Sequence, residues 1–299
     1  ELNTIRCMPA LPFLVVIRIT PLAACTDKLP EGVRVIFYPK SAEGRKIDTY
    51  LSVRGGKVKV PPGRYSVVAY NYDTETVQIR GEEAYETIEA FTGYCNGLGI
   101  AGTEKMVWGP DPLYVVQIDD LHIANSEEEL LLDWKPKLVV KTYSFKIKVE
   151  GLEYVSSIVG SVEGMAGCYC LGRCCGMMND APIYFEAQGC SGEVTGSFTA
   201  FGLPEGAMSR ASLAIKFTLA FVKVDNTVQK IEVDITDVIV NSESGEGGSN
   251  DEPSKDIELP LDDDEVKVDK PENSSGGDGG IGGDVGDWGE EEEVPLPVI

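Results

Sequence analysis

Hydrophobic residues recur at every second position in segment after segment of this chain, and that period restricts the fold more than any other feature. In "TYSFKIKVEG", Tyr143, Phe145, Ile147 and Val149 fall on one side while Ser144, Lys146, Lys148 and Glu150 fall on the other. "VRVIFYPK" does the same with Val33, Val35 and Phe37. "ASLAIKFTLAFVKVD" repeats it with Leu213, Ile215, Phe217, Leu219 and Phe221, and "KIEVDITDVIV" with Ile231, Val233 and Ile235. Successive side chains of a strand point to opposite faces, so each run offers one face to a core and one to water, as antiparallel sheets do. Turn formers separate the runs: "RGGKV" around Gly55, "PPGRY" around Gly63 and "GLPEGA" around Gly206. Many short strands at short spacing point to sandwiches or open barrels in preference to parallel β-α-β units.

Two segments have helical spacing. "EEAYETIEAF" places Tyr85, Ile88 and Phe91 three residues apart, and "NSEEELLLDW" begins with Asn125 or Ser126 as a cap followed by acids in the first turn. Strands resume after "KPK" at Lys135 to Lys137, which sets a domain boundary near residue 130. The expected organisation is an N-terminal sandwich over residues 1–130, a second over 131–270 and an acidic, Gly-rich tail over 271–299. Within "IELPLDDDEVKVDKP" the second domain has room for one last strand.

Charge sharpens this division. The formal net charge is -23, and from Ser242 onward 19 acidic residues face 3 basic ones, so the tail holds most of the imbalance. A surface of this sign excludes nucleic acid as a partner, because phosphate binding needs a basic face. It equally excludes a polybasic membrane patch. No stretch is long and apolar enough to span a bilayer. The nearest, Met8 to Cys25, ends in "LAAC", which matches the cleavage box of a bacterial lipoprotein signal with Cys25 as the lipidated residue. Arg18 and Pro21 interrupt it, so a first strand is the preferred reading and any signal belongs upstream of Glu1.

The chain has eight cysteines, and four of them, Cys168, Cys170, Cys174 and Cys175, fall within eight positions. Three arrangements are open: a metal cage, a hairpin disulfide between Cys168 or Cys170 and one of the second pair, or thiols packed as small hydrophobes on a strand-turn-strand. Structural zinc sites usually take two pairs on separate elements, and adjacent Cys174 and Cys175 would point to opposite faces of a strand, so packed thiols are favoured. Catalysis finds little footing. His122 is the single histidine, and no nucleophile elbow, phosphate loop or zinc-protease pair is present. "GGIGGDVGD", Gly279 to Asp287, approximates one calcium-binding nonapeptide, but Gly286 stands where a large apolar residue belongs. "LDDDEVKVD" lacks the glycine turn of an EF-hand, and a solvated acid run is the reading for both. Trp108, Trp134 and Trp288 lie among turn formers, as carbohydrate platforms, interface anchors or core lids do. No catalytic, cofactor-binding or metal residue is expected.

Several segments together resemble a known family. "PEGVRVIFYP", "GGKVKVPPGRYSVVAYNYDTETVQIRG", "EYVSSIVGSVEGMAG", "GSFTAFGLP", "VDITDVI" and "GGDVGDW" occur in this order along nearly the whole chain. They are similar to fimbrillin-like surface lipoproteins of Bacteroides-type bacteria, related to type V pilus subunits and anchors. The resemblance implies a mostly β protein of two tandem transthyretin/Ig-like antiparallel β-sandwich domains with few short helices. It implies a non-catalytic cell-surface protein, exported and lipid-anchored in the outer membrane through an upstream segment. The implied role is a fimbrial subunit, anchor or accessory protein in cell adhesion. Its implied partners are other fimbrial subunits or surface proteins, and host or glycan ligands. Subunits of that kind assemble by strand donation; here "PFLVVIRIT" and "VPLPVI" are the segments suited to it. The alternative is a glycan-binding outer-membrane lipoprotein of a polysaccharide-uptake system, with Trp108 at its site. The cysteine cluster has no counterpart in the family pattern.

Overall fold

The structure, a computed structural model, describes residues 13–20, 30–95, 105–126, 128–178, 181–207, 214–244, 254–257 and 266–271. Its strands in chain order begin with β1 (Phe13–Ile19), β2 (Gly32–Pro39), β3 (Ile47–Ser52), β4 (Gly55–Val60), β5 (Gly63–Asn71), β6 (Val77–Arg80), β7 (Glu89–Thr92), β8 (Tyr94–Cys95), β9 (Met106–Trp108), β10 (Tyr114–Ile123), β11 (Leu130–Trp134) and β12 (Lys137–Leu138). They continue with β13 (Lys141–Lys148), β14 (Val155–Glu163), β15 (Ala166–Cys170), β16 (Cys175–Met178), β17 (Ile183–Cys190), β18 (Glu193–Ala200), β19 (Lys216–Lys223), β20 (Val228–Asp234) and β21 (Ser254–Asp256). Among the described residues the one α-helix is α1 (Thr236–Ser244). The protein is mostly β.

Three sheets organise these strands. The first runs β11-β1-β4-β3-β2-β5-β10-β12; the second runs β20-β19-β14-β17-β18-β13-β21, with β9 on β17 and β8 on β9; the third runs β16-β15-β7-β6. Most neighbours are antiparallel, as the alternation predicts. Three pairs are parallel: β1 with β11, β13 with β21 and β9 with β17. Each joins segments far apart in the chain, so no turn signal marks it.

The first sheet curls over its own inner face. Val15, Ile17, Val35, Phe37, Val58, Val60 and Val67 meet there, all drawn from that sheet. Residues between them on β2 and β5, including Ile36, Tyr38, Val68 and Tyr70, point the other way into a core shared with Val77, Ala90, Ala166 and Leu171. The alternation of "VRVIFYPK" therefore does not leave one face wet, because the third sheet covers it. In the second sheet Tyr143, Phe145, Ile147 and Val149 are buried together with Ile215, Phe217, Leu219 and Phe221. Tyr143 stacks on Phe198 at 5.0 Å and Phe185 on Phe217 at 5.3 Å. Glycine at 160 makes room for this packing, since a Cβ there would lie 2.1 Å from the Phe185 ring. Leu213 lies outside the described residues.

The expected helices are absent from both segments. In "EEAYETIEAF" a single turn, in which Ile88 N–H donates to Ala84 C=O (3.2 Å), leads straight into β7, which pairs with β6 and β15. Sheet pairing on both edges outweighs the three-residue spacing. In "NSEEELLLDW" Ser126 Oγ does accept from Glu128 N–H at 3.1 Å, but Leu130 to Trp134 then extend as β11 beside β1. Leu130, Leu132 and Trp134 turn inward and Leu131 and Asp133 outward, a period of two hidden in a leucine run. Conversely "ITDVIV" ends the strand at Asp234 and starts α1, with Ile235 and Ile239 one helical turn apart in the core. Asp234 Oδ1 accepts from Thr236 N–H at 2.9 Å, and the Thr236 hydroxyl accepts from Ile215 N–H at 2.8 Å. From "IELPLDDDEVKVDKP", Val266 and Val268 reach the second core and Lys267 bridges to Glu150. Residues 258–265 and 272–299, with Trp288, "GGIGGDVGD" and "VPLPVI", and 21–29 with "LAAC", lie outside the described residues.

Candidate functional site

Two features stand out as sites where this fold can engage something. The first is the slot that holds β1. Its alternate residues Val15, Ile17 and Ile19 are 0, 1 and 7 % exposed. β1 lies between β4, antiparallel, and β11, parallel, with Ile17 opposite Gly56 on one side and Leu132 on the other. Burial of each such side chain is worth roughly 1.5–3 kcal/mol. Among the described residues β11 reaches the sheet only through β1, so without β1 the sheet would open along two unpaired backbone ladders.

The second is an exchange of strands between the two halves of the chain. The hairpin β15–β16 follows β14 of the second sheet but pairs with β7, Cys168 opposite Phe91 and Cys170 opposite Glu89. In return β9, which precedes β10 of the first sheet, pairs with β17 of the second. The hairpin tip is received by the turn after Gly81. Leu171 N–H donates to Ile88 C=O (3.0 Å), Gln117 Nε2 donates to Gly172 C=O (3.2 Å), and a Cβ at Gly172 would lie 2.0 Å from Tyr85 O. Arg34 fixes that turn from beneath. Its guanidinium donates to Asp48 at 2.7 and 3.0 Å, to Glu82 at 2.6 and 2.9 Å and to the Tyr70 hydroxyl at 2.9 Å. The Asp48 hydrogen bond, opposed by burial, holds Arg34 above its ordinary value.

The cysteine cluster is this hairpin. The six described cysteines, Cys95, Cys168, Cys170, Cys174, Cys175 and Cys190, carry free thiols. Burial pushes the Cys168 thiol up to about 11, with Glu89 adding to it, and burial also raises Cys174 and Cys175. Among the described residues no three His, Cys, Asp or Glu side chains converge on a common point. His122 stands apart, exposed on β10 opposite Arg64, whose guanidinium pairs with Asp120. Trp108, on β9, packs edge-to-face on Tyr184 at 5.5 Å and is 43 % exposed. Trp134, for which the sequence left platform, anchor and core lid open, is buried in the core on β11 with its Nε1 unpartnered.

A family described as a domain of unknown function, DUF5119, matches residues 22–186, more than half of the 299 residues. The chain belongs to the DUF5119 family. This DUF5119 protein is 54 % identical over 290 residues to a Bacteroides ovatus (strain ATCC 8483) protein named as a candidate fimbrium anchoring subunit, Fim4B, with 91 % of this chain and 86 % of that one covered. A crystal structure of a candidate adhesin from Bacteroides ovatus aligns with a TM-score of 0.73 at 52 % identity, covering 87 % of this chain and 94 % of that one. The fimbrial anchor protein Mfa2 from Porphyromonas gingivalis aligns with a TM-score of 0.53 at 11 % identity, over 82 % of this chain and 89 % of that one, and shares the fold. The likeness to fimbrillin-like surface proteins, read from the ordered motifs, holds. What the sequence reading missed in this DUF5119 chain is the hairpin's destination and the Arg34 node. "EGVRVIFYP" carried the one available signal, a charged residue inside an otherwise apolar strand.

Proposed function

We propose that this chain is a fimbrial subunit, anchor or accessory protein, a non-catalytic cell-surface protein of adhesion whose partners are other fimbrial components. The observation that carries the reading is the 54 % identity, over 91 % of the chain, to the candidate fimbrium anchoring subunit. The distribution of reactive groups supports it: His122 and the hairpin thiols sit on separate elements, and the structural investment lies in sheet edges and shared strands. In this reading the chain holds two sandwich units whose boundary, expected near 130, falls after β12 because β11 and β12 join the first sheet; 271–299 is a flexible tail, and a lipid holds the protein in the outer membrane. Deleting the gene in its own bacterium should release fimbriae from cells into the medium or abolish them. Fimbriae unchanged in number and attachment would end the proposal. Metabolic labelling with an alkyne fatty acid checks the lipid.

Strand donation is the mode of assembly we favour. Once β1 is displaced, its slot offers both unpaired backbone and apolar pockets to an incoming strand. "VPLPVI" is the candidate donor, although Pro295 and Pro297 each lack an N–H. Deletion of 289–299 with assembly intact would remove the tail from this role.

One observation favours a second reading, glycan binding. Tyr184 lines an open groove of 750 Å³ with Ser157, Val159, Glu186 and Gln188, an aromatic ring beside hydroxyl, carboxylate and amide groups, and Trp108 packs edge-to-face on Tyr184. A glycan array that responds to the wild type and fails with Trp108→Ala would establish it.

A further inference from the structure

Two of the eight cysteines are cross-strand partners. The turn Leu171–Cys174 joins β15 to β16, and the register sets Cys170 opposite Cys175, Tyr169 opposite Gly176 and Cys168 opposite Met177. Residues directly opposite in an antiparallel pair share a face, with Cα atoms about 4.5–5.5 Å apart whichever class of pair they form. A disulfide takes Cα separations of about 4.4–6.8 Å, so this pair can be bridged without moving the backbone. The remaining thiols of the cluster are placed differently. Cys168 is displaced along the strand and faces Met177, while Cys174 sits in the turn at φ 52 with its thiol donating to Leu171 C=O at 3.7 Å. Cys95 and Cys190 belong to β8 and β17.

We propose that Cys170 and Cys175 are an oxidation site, forming a cross-strand disulfide by exchange with an external disulfide such as oxidised glutathione. Cys175 is the attacking thiol. It is half-buried at the edge of the third sheet and accessible to an external disulfide, with Arg173 Nη2 donating to its Sγ at 3.2 Å, a neighbour that favours the thiolate against the burial and the Glu205 carboxylate that raise the thiol. Cys170 is 3 % exposed and closes the bond. In the first step Cys175 gives its proton to water and its sulfur displaces one half of the external disulfide as a thiol, leaving a mixed disulfide. In the second, Cys170 loses its proton, attacks Cys175 Sγ and expels the other half as a second thiol. Two protein thiols are oxidised by two electrons and one external disulfide is reduced to two thiols. The free thiols point elsewhere, Cys170 toward Glu86 C=O at 3.7 Å and Cys175 toward Glu205 at 3.6 Å, so the bond needs side-chain rotation between staggered wells. The product staples the base of the turn whose tip docks beneath Ile88 and Gln117.

The sequence makes the bond easy to see. Trypsin cuts after Lys148, Arg173 and Arg210, so Cys170 lies in peptide 149–173 and Cys175 in peptide 174–210. The full chain is reduced, equilibrated with oxidised glutathione, blocked with N-ethylmaleimide and digested. The expected result is a joined mass of the two peptides that dithiothreitol separates. It should persist in Cys174→Ser and vanish in Cys170→Ser and Cys175→Ser, with far-ultraviolet circular dichroism showing that each variant is folded. A joined mass surviving in Cys175→Ser, or wild-type Cys170 recovered with maleimide after oxidation, would overturn the assignment.

Discussion

Removing the side chain of Ile17 should destabilise the protein several-fold more than removing that of its neighbour Arg18. Ile17 is 1 % exposed in the slot between β4 and β11, whereas Arg18 is exposed. Truncating a buried isoleucine to alanine costs about 2–5 kcal/mol, and the position in that range depends on how far the site can collapse. Opposite Ile17 in β4 is Gly56, which has no side chain to move into the void, so a value of about 3–4 kcal/mol is expected. Ile17→Val should cost about 1 kcal/mol. Arg18→Ala should stay within about 0.5 kcal/mol. Urea unfolding followed by tryptophan fluorescence suits the measurement, because Trp134 pairs with Ile19 in the same register and is buried in the same core. If Arg18→Ala proves as costly as Ile17→Ala, or Ile17→Ala costs less than about 1 kcal/mol, then β1 is not seated in the sheet with this face inward.

Further outcomes follow from the hairpin dock and the helix. Arg34→Met leaves Asp48 and Glu82 facing each other without a cation, and should cost about 2 kcal/mol, more than a typical exposed ion pair, by the same urea assay. Gly172→Ala would place a Cβ 2.0 Å from Tyr85 O; amide exchange of Leu171 and Ile88 should accelerate while that of Phe217 does not change. Asp234 has its pKa lowered from 3.8 by hydrogen bonds from the Thr236 hydroxyl and N–H, so its support for α1 is complete above that value and is lost as pH falls through the lower folded pKa. A carboxyl titration by NMR should therefore place Asp234 below 3.8 in the wild type and closer to 3.8, though still below it, in Thr236→Val, which keeps the N–H and loses the hydroxyl. Asp234→Ala should cost about 1 kcal/mol at neutral pH and nothing once the pH has fallen well below the folded pKa of Asp234.

Much of the β architecture was legible because the chain writes it locally. Tyr143 to Val149 and Ile215 to Phe221 alternate without interruption and sit in the second core as their period requires. The misread segments are those where a distant strand decides the outcome. "LLLDW" has no visible alternation until β1 fixes which leucine is outward, and "EEAYETIEAF" extends because β6 and β15 flank it. Both faces of β2 are buried because the third sheet, built from β6 and β7 and a hairpin from later in the chain, covers one of them, a contact with no local signature. The Cys170 and Cys175 pairing is likewise a matter of register: the spacing suggested a hairpin, but only the ladder shows which two thiols face each other.

The exchanged strands decide how the molecule carries a mechanical load. Were the two large sheets joined only by the chain between Leu138 and Lys141, the molecule would swing open there as on a hinge. With β9 zipped to β17 and the β15–β16 hairpin zipped to β7, rotation at the hinge requires rupture of two hydrogen-bonded ladders on separate parts of the molecule. Pulled apart across that link, the described part of the protein should therefore yield first by the release of one of these ladders.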